Sequence, residues 1–325
     1  MIKKRLLPLA VSLLLLALLI YKVDARSLWE TLKAVDLTWF GIALVLFVPQ
    51  TLVITWRWLV IAEPLAVLPY QEAARQILAS NSLNLILPSK MGDLAKGVFL
   101  NRQGRCSLAD GVQVVVFEKL LDLAALSLWM LAGWFLVPSF AWWVLGVLAV
   151  GLTVVGVVSV LYFVPRQKSM VAERLPAALA EKKIGRKIRT LLESGPRVAA
   201  LVRGTGWRMP RIVGWSLLIW LLHLLQIYCF FRCAGATVSL FDVVARMPIA
   251  IFAGLLPLTL AGIGTRDWAI VAIFAAAPYA QPEATLAAVG LLVSLRYVVP
   301  AAMGLPFIGS YLAMGKEAAA VNKNG

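Results

Sequence analysis

Apolar residues run through this chain in long blocks, and six of them are continuous: about 6 to 23, 38 to 62, 111 to 137, 141 to 164, 211 to 234 and 284 to 312. At 1.5 Å of rise per residue, crossing a hydrocarbon core about 30 Å thick takes about 20 helical residues, so each block is long enough to span or nearly so. Two further apolar blocks, 71 to 100 and 240 to 281, are interrupted near the middle. The first carries Pro88 and Gly92, the second Pro257, Gly262 and Gly264, so each reads as two half-helices joined by irregular backbone. The pattern predicts an all-α integral membrane protein with about six transmembrane helices and two re-entrant broken-helix hairpins.

Span, hairpin and span follow one another at 38–62, 71–100 and 111–137, and again at 211–234, 240–281 and 284–312. Lys3, Lys4 and Arg5 precede the first span, and the connection 165–210 after the fourth is crowded with lysine and arginine. The positive-inside rule places both in the cytoplasm, and both termini with them. The first hairpin then enters from the cytoplasm and the second from outside, an inverted repeat within a single polytopic domain covering 1–325, with repeat A at about 38–137 and repeat B at about 211–312. The halves share Arg75 and Arg246 at the hairpin entrances, Pro88 and Pro257 at the breaks, and Asp93 and Asp267 after them. Ordinary kinked spans over 240–281 are the alternative. The start has the basic head and apolar run of a signal peptide, but Asp24 and Arg26 flank the faint cleavage pattern and favour an uncleaved first span.

Composition removes other classes. A chain of 325 residues that is 61% hydrophobic and 14% charged exceeds the roughly 45–50% apolar usage of soluble domains. The net charge of +15 sits in hydrophilic connections, as expected of a membrane protein and not of a nucleic-acid binder. Cys106, Cys229 and Cys233 make no disulfide framework, and the latter two read as packing residues. His223 is the one histidine, so no second imidazole exists for a metal site or relay, and an interhelical hydrogen bond is its expected role. No phosphate-binding loop motif occurs, and no cofactor or metal is expected.

Hydrocarbon cannot solvate charge, so polar groups inside these blocks mark protein interior or a wet cavity. Around the first break lie Asn81, Asn84, Lys90, Asp93 and Lys96. In the third span Glu118 and Asp122 are four apart on one helical face, with Lys119 beside them, and Arg75, Lys90 and Lys96 are their expected partners. The second half adds Arg246, Arg266, Asp267 and Arg296. Arg75, Lys90, Lys96, Lys119, Arg246, Arg266 and Arg296 outnumber Asp93, Glu118, Asp122 and Asp267, so internal pairing leaves positive charge over and an anion is the expected complement. Helix segments beginning near Gly92 and Gly264 would add amide donors to it.

The stretches NSLNLILPSKMGDLAKGVFL, VVVFEKLLDLAAL and PLTLAGIGTRD resemble the lysylphosphatidylglycerol synthetase transmembrane region, a flippase-like domain, and the likeness covers about 10–312. Matching positions are Pro88, Gly92 and Asp93, then Glu118, Lys119 and Asp122, then Pro257, Gly262, Gly264, Arg266 and Asp267. In the family's best-known member, the multiple peptide resistance factor, this region is implicated in moving aminoacylated phosphatidylglycerol between leaflets and precedes a soluble synthase domain. Here KEAAAVNKNG follows the last span, so the expectation is a stand-alone member without that domain.

The expected function is a non-enzymatic lipid translocator moving an anionic head group of the phospholipid or polyprenyl-phosphate type through a central polar cavity. The alternatives are a non-catalytic partner of a lipid or envelope-glycan synthesis complex and a membrane-embedded lipid transferase. Expected partners are the lipid substrate and anionic inner-leaflet lipids at the basic connection, without nucleic acid, and the expected location is a bacterial cytoplasmic (inner) membrane. The sequence leaves the lipid, the direction of transport and the oligomeric state open.

Overall fold

The computed structural model describes residues 3–87, 92–136, 151, 206–255, 259, 262–276 and 280–321. Every regular element among them is helical. Helix α1 (Lys3–Val23) is followed by α2 (Ala25–Lys33), which Asp24 caps by accepting from Ser27 Oγ at 2.9 Å and from the Ser27 amide at 3.2 Å. Helices α3 (Leu37–Val45) and α4 (Phe47–Ala62) follow one another across residue 46 and together supply one of three stretches among the described residues long and apolar enough to cross a membrane. The others are Gly206–Cys233, which contains α8 (Met209–Cys233), and Glu283–Gly309, which opens α11 (Glu283–Val321). Helix α7 (Leu108–Leu136), with 29 residues, is equally long but carries Asp110, Glu118, Lys119 and Asp122. Such a helix sits in a bilayer only with those charges turned inward. The expected span at 141–164 and the basic connection up to residue 205 lie outside the described residues, apart from residue 151.

Both interrupted blocks are hairpins whose ends return to the side they came from. In the first, α5 (Tyr70–Ile86) stops at Leu87, which is extended at φ −95° and ψ 138°, the conformation favoured before a proline. A single turn at 92–94 then leads into α6 (Ala95–Arg102). Gln103, just past α6, hydrogen-bonds Glu72 at the start of α5, and Arg105 Nη1 donates to the Val67 carbonyl at 2.9 Å. In the second, α9 (Leu240–Leu255) and α10 (Thr265–Phe274) are closed at the mouth by Gln281, whose Oε1 accepts from the Thr237 amide at 3.1 Å. Pro88 and Pro257, the expected breakers, fall outside the described residues, but the helices end on either side of them.

The two hairpins enter from opposite ends of the fold. Arg208, at the head of α8, pairs with Glu63 at the foot of α4 at 2.6 Å, and the Asp36 amide before α3 donates to the Cys233 carbonyl at 2.9 Å. The α3–α4 span and α8 are therefore antiparallel neighbours. The chain leaves α4 at one end to form the first hairpin and leaves α8 at the other to form the second, which is the geometry of an inverted pair.

Glycine is required at the breaks. A methyl at Gly92 would overlap the Asn84 amide and the Leu83 carbonyl carbon, so the returning chain lies directly against α5. Gly262 and Gly264 take φ of 78° and 96°, where a side chain is strained. The two largest parts of the core among the described residues lie around Phe230, Phe231, Phe274 and Leu286 from α8, α10 and α11, and around Trp58, Ile77 and Val115 from α4, α5 and α7. Cys229 and Cys233 are buried in the first as packing residues. The halves meet most intimately where α11 crosses α5, since a methyl at Gly304 would overlap the Leu78 carbonyl oxygen and Ser82 Oγ. Gly304→Val should destabilise the protein by about 1–3 kcal/mol or more through overpacking, whereas Gly41→Ala, with open space around it, should be nearly neutral; thermal unfolding in detergent reads the difference.

Candidate functional site

A polar cavity of about 150 Å³ opens between the halves. It is partly open, with room for water or a phosphate-sized group. Its walls come from six helices and one turn: Gln50, Thr51 and Arg57 of α4, Asn81 and Asn84 of α5, Asp93 of the turn, Lys96 of α6, Glu118, Lys119 and Asp122 of α7, Trp220 and His223 of α8, and Arg296 and Tyr297 of α11. Eight expected site residues thus meet in one place: Asn81, Asn84, Asp93, Lys96, Glu118, Lys119, Asp122 and Arg296.

One wall is a closed ionic network. Arg57 Nη2 donates to Glu118 Oε1 at 3.0 Å, and its Nη1 donates to Asp122 Oδ1 at 2.6 Å and to Ser216 Oγ at 3.1 Å. Lys96 pairs with the other oxygen of Glu118 and lies 4.5 Å from the centroid of the Trp58 ring. Lys119 bridges Asp122 Oδ2 at 3.1 Å and Asp93 Oδ2 at 2.6 Å. Asp93 is held in turn by Asn84, whose Nδ2 donates to Asp93 Oδ1 at 2.9 Å while its Oδ1 accepts the Asp93 amide at 3.0 Å. Those reciprocal bonds tie the break to α5 and make Asp93 a fixed acceptor. Three cations, Arg57, Lys96 and Lys119, face three carboxylates, Asp93, Glu118 and Asp122, so this wall is electrically neutral. Arg57 and Lys96 are almost wholly enclosed, at 2% exposure, whereas the Lys119 side chain is 41% exposed.

The opposite wall differs. Arg296 Nε and Nη1 are buried and have no hydrogen-bond partner among the described residues. Its guanidinium lies 5.6 Å from the centroid of the Tyr297 ring, and the nearby charge acting on it is a second cation, Arg266. Arg266 is itself neutralised: its Nη2 and Nε donate to Asp267 Oδ1 at 2.6 and 2.9 Å, and Nη2 also reaches the Gly290 carbonyl and Ser294 Oγ. Asp267 Oδ2 accepts the Gly264 amide at 2.9 Å, occupying the first turn of α10. Arg266, Asp267 and the helix start at Gly264 therefore form an internal lock and do not line the cavity, contrary to the expectation that this turn would present amides to a ligand.

Two further expectations change. Arg75 is exposed, because α5 turns Ala73, Gln76, Ile77 and Ser80 inward and leaves position 75 on the opposite face; it partners neither Glu118 nor Asp122. Arg246 is buried on α9 with Asp242 one turn before it, at 4.0 Å, and is not in the cavity wall. Lys90 lies outside the described residues. The partner that sequence reasoning missed is Arg57, whose signal is a lone charge in the apolar stretch LVITWRWLV. His223 lines the cavity edge-on to Trp220, with ring centroids 5.6 Å apart.

An all-helical fold with apolar spans and a charged cavity between its halves defines a polytopic membrane protein. The model of the lysylphosphatidylglycerol synthase TM region matches residues 5–304, so the chain belongs to that family. It is similar to a UPF0104 membrane protein of Methanothermobacter thermautotrophicus, 20% identical over 319 residues that cover 92% of this chain and 94% of that protein.

The network makes a sharp prediction. Arg57→Ala leaves one buried carboxylate charge uncompensated and should cost about 3–5 kcal/mol, while the double change Arg57→Met and Asp122→Asn, which keeps the Lys96–Glu118 and Lys119–Asp93 pairs, should recover much of that loss. Unfolding midpoints in one detergent compare the variants.

Proposed function

We propose that this protein translocates an anionic membrane lipid, its phosphate-bearing head group entering the cavity while the chains stay in the bilayer. The carrying observation is Arg296: among the cavity's cations, Arg57, Lys96 and Lys119 are matched by carboxylates, whereas Arg296 has buried donors and no acidic partner among the described residues. A buried guanidinium with unmet donors is stabilised by an incoming anion. The cavity lies between the halves, with walls from both, so rocking one half against the other about the α5–α11 crossing would expose it to each side in turn. Inside-negative potential favours outward movement of one negative charge by about 2.3 kcal/mol per 100 mV, enough to drive export without nucleotide hydrolysis. The carboxylates argue against a transferase, since Asp93, Glu118 and Asp122 are each bound to a cation and none is poised as a general base.

The test is reconstitution into vesicles with fluorescent head-group or chain-labelled lipids, reading leaflet distribution by dithionite quenching. The wild type should move an anionic lipid faster than a zwitterionic one, and Arg296→Gln should slow that movement by about tenfold or more at an unchanged unfolding midpoint. Equal leaflet kinetics with and without protein, across anionic phospholipids and polyprenyl phosphate, would remove the proposal.

A further inference from the structure

Helix α4 has two working faces. Gln50, Ile54 and Arg57 look into the cavity, while Trp56, Leu59 and Val60 look outward and, with Arg211 and Trp215 of α8, line a separate groove of about 430 Å³ on the outer surface. Its floor is apolar and its rim is aromatic: Trp56 stands 5.8 Å from Trp215 and 6.4 Å from Tyr70, centroid to centroid, and is 44% exposed. One charged side chain, Arg211, lines it. Arg211 is exposed and forms no ion pair among the described residues, because the neighbouring carboxylate Glu63 is taken by Arg208; its guanidinium lies 5.9 Å from the Trp207 ring centroid.

We infer that this groove is a binding site for an anionic glycerophospholipid, with the phosphate on Arg211 and one acyl chain laid along Trp215, Trp56, Leu59 and Val60. Three features carry the assignment. Arg211 is in the first turn of α8, about level with Leu59 and Val60, and Trp215 and Trp56 lie about one turn deeper, so the cation lies at the end of the span with aromatic surface toward its middle, matching the order of phosphate and chain in a lipid. Tryptophan and tyrosine at that depth, here Trp207, Trp215, Trp56 and Tyr70, favour the membrane–water interface where phosphates sit. Charge complementarity then selects among lipids: an unpaired arginine attracts a net-negative head group over a zwitterionic one, whose own ammonium offsets the phosphate. The site is distinct from the central cavity, and its existence does not depend on the translocator reading.

Native mass spectrometry of the purified full-length protein, delipidated and then titrated with dioleoyl-phosphatidylglycerol or dioleoyl-phosphatidylcholine, tests it. The wild type should retain one phosphatidylglycerol more tightly than phosphatidylcholine. Arg211→Gln should weaken that first binding by about fivefold, Arg211→Lys should largely restore it, and Arg296→Gln should leave it unchanged. Trp215→Ala should weaken both lipids alike by removing the floor. Millimolar inorganic phosphate should not displace the bound lipid. The inference is overturned if the two lipids bind equally, if Arg211→Gln binds as the wild type does, if Arg296→Gln abolishes the tight event, or if phosphate competes for it.

Discussion

The structure depends on the neutralisation of Arg57. A guanidinium at 2% exposure within a membrane-spanning helix is tolerated only because Glu118 and Asp122 reach it from α7 and Ser216 from α8. Buried charge pairs contribute little net stability over apolar packing, yet breaking one is expensive, so the network acts as a constraint on register. It fixes α4, α7 and α8 against one another at one depth. Lys96 and Asp93 extend the same network to the returning limb of the first hairpin, so the broken backbone is held by charge where it cannot be held by a continuous helix.

The second half solves the same problem differently. Its break is stabilised by a local pair, Arg266 with the residue next to it, and by the Asp267 bond to the Gly264 amide, all buried beneath α11. That lock neutralises Arg266 locally and lies outside the cavity wall. The contrast explains why the cavity is built mainly from the first half, with α8 and α11 as its far wall. It also explains why an approximate twofold arrangement of helices carries an asymmetric distribution of charge.

Much of this was legible in the chain. Apolar block lengths and the Pro/Gly interruptions located the hairpins, since the bilayer leaves few other solutions for backbone that cannot stay helical. The cluster of Asn84, Asp93, Lys96, Glu118 and Asp122 followed from the cost of burying charge. Which cation met which carboxylate did not follow. Arg75 has the right charge and proximity in sequence but the wrong helical phase, one position from the buried Gln76. Arg57 was overlooked because a span that is otherwise apolar draws attention to its length and away from its single exception. Arg266 and Asp267 are adjacent in sequence, and nothing short of the backbone turn at Gly264 indicates that they satisfy each other.

The distinction between neutralised and surplus charge carries the functional argument further than a count of basic residues does. At an effective dielectric constant of about 20, a unit charge 4 Å away is worth about 4 kcal/mol, so a cation already matched by a carboxylate exerts little net pull on a third group. Summed over the whole chain, the +15 charge says only that the connections are basic. Among the described residues, part of it forms ion pairs that hold helices together, while two arginines that border a cavity or a groove, Arg296 and Arg211, have no acidic partner. Arg296 faces a polar cavity walled by charged side chains, and Arg211 borders an open apolar groove. The surroundings, not the charge, make the first a place for a head group in passage and the second a place for a whole lipid at rest.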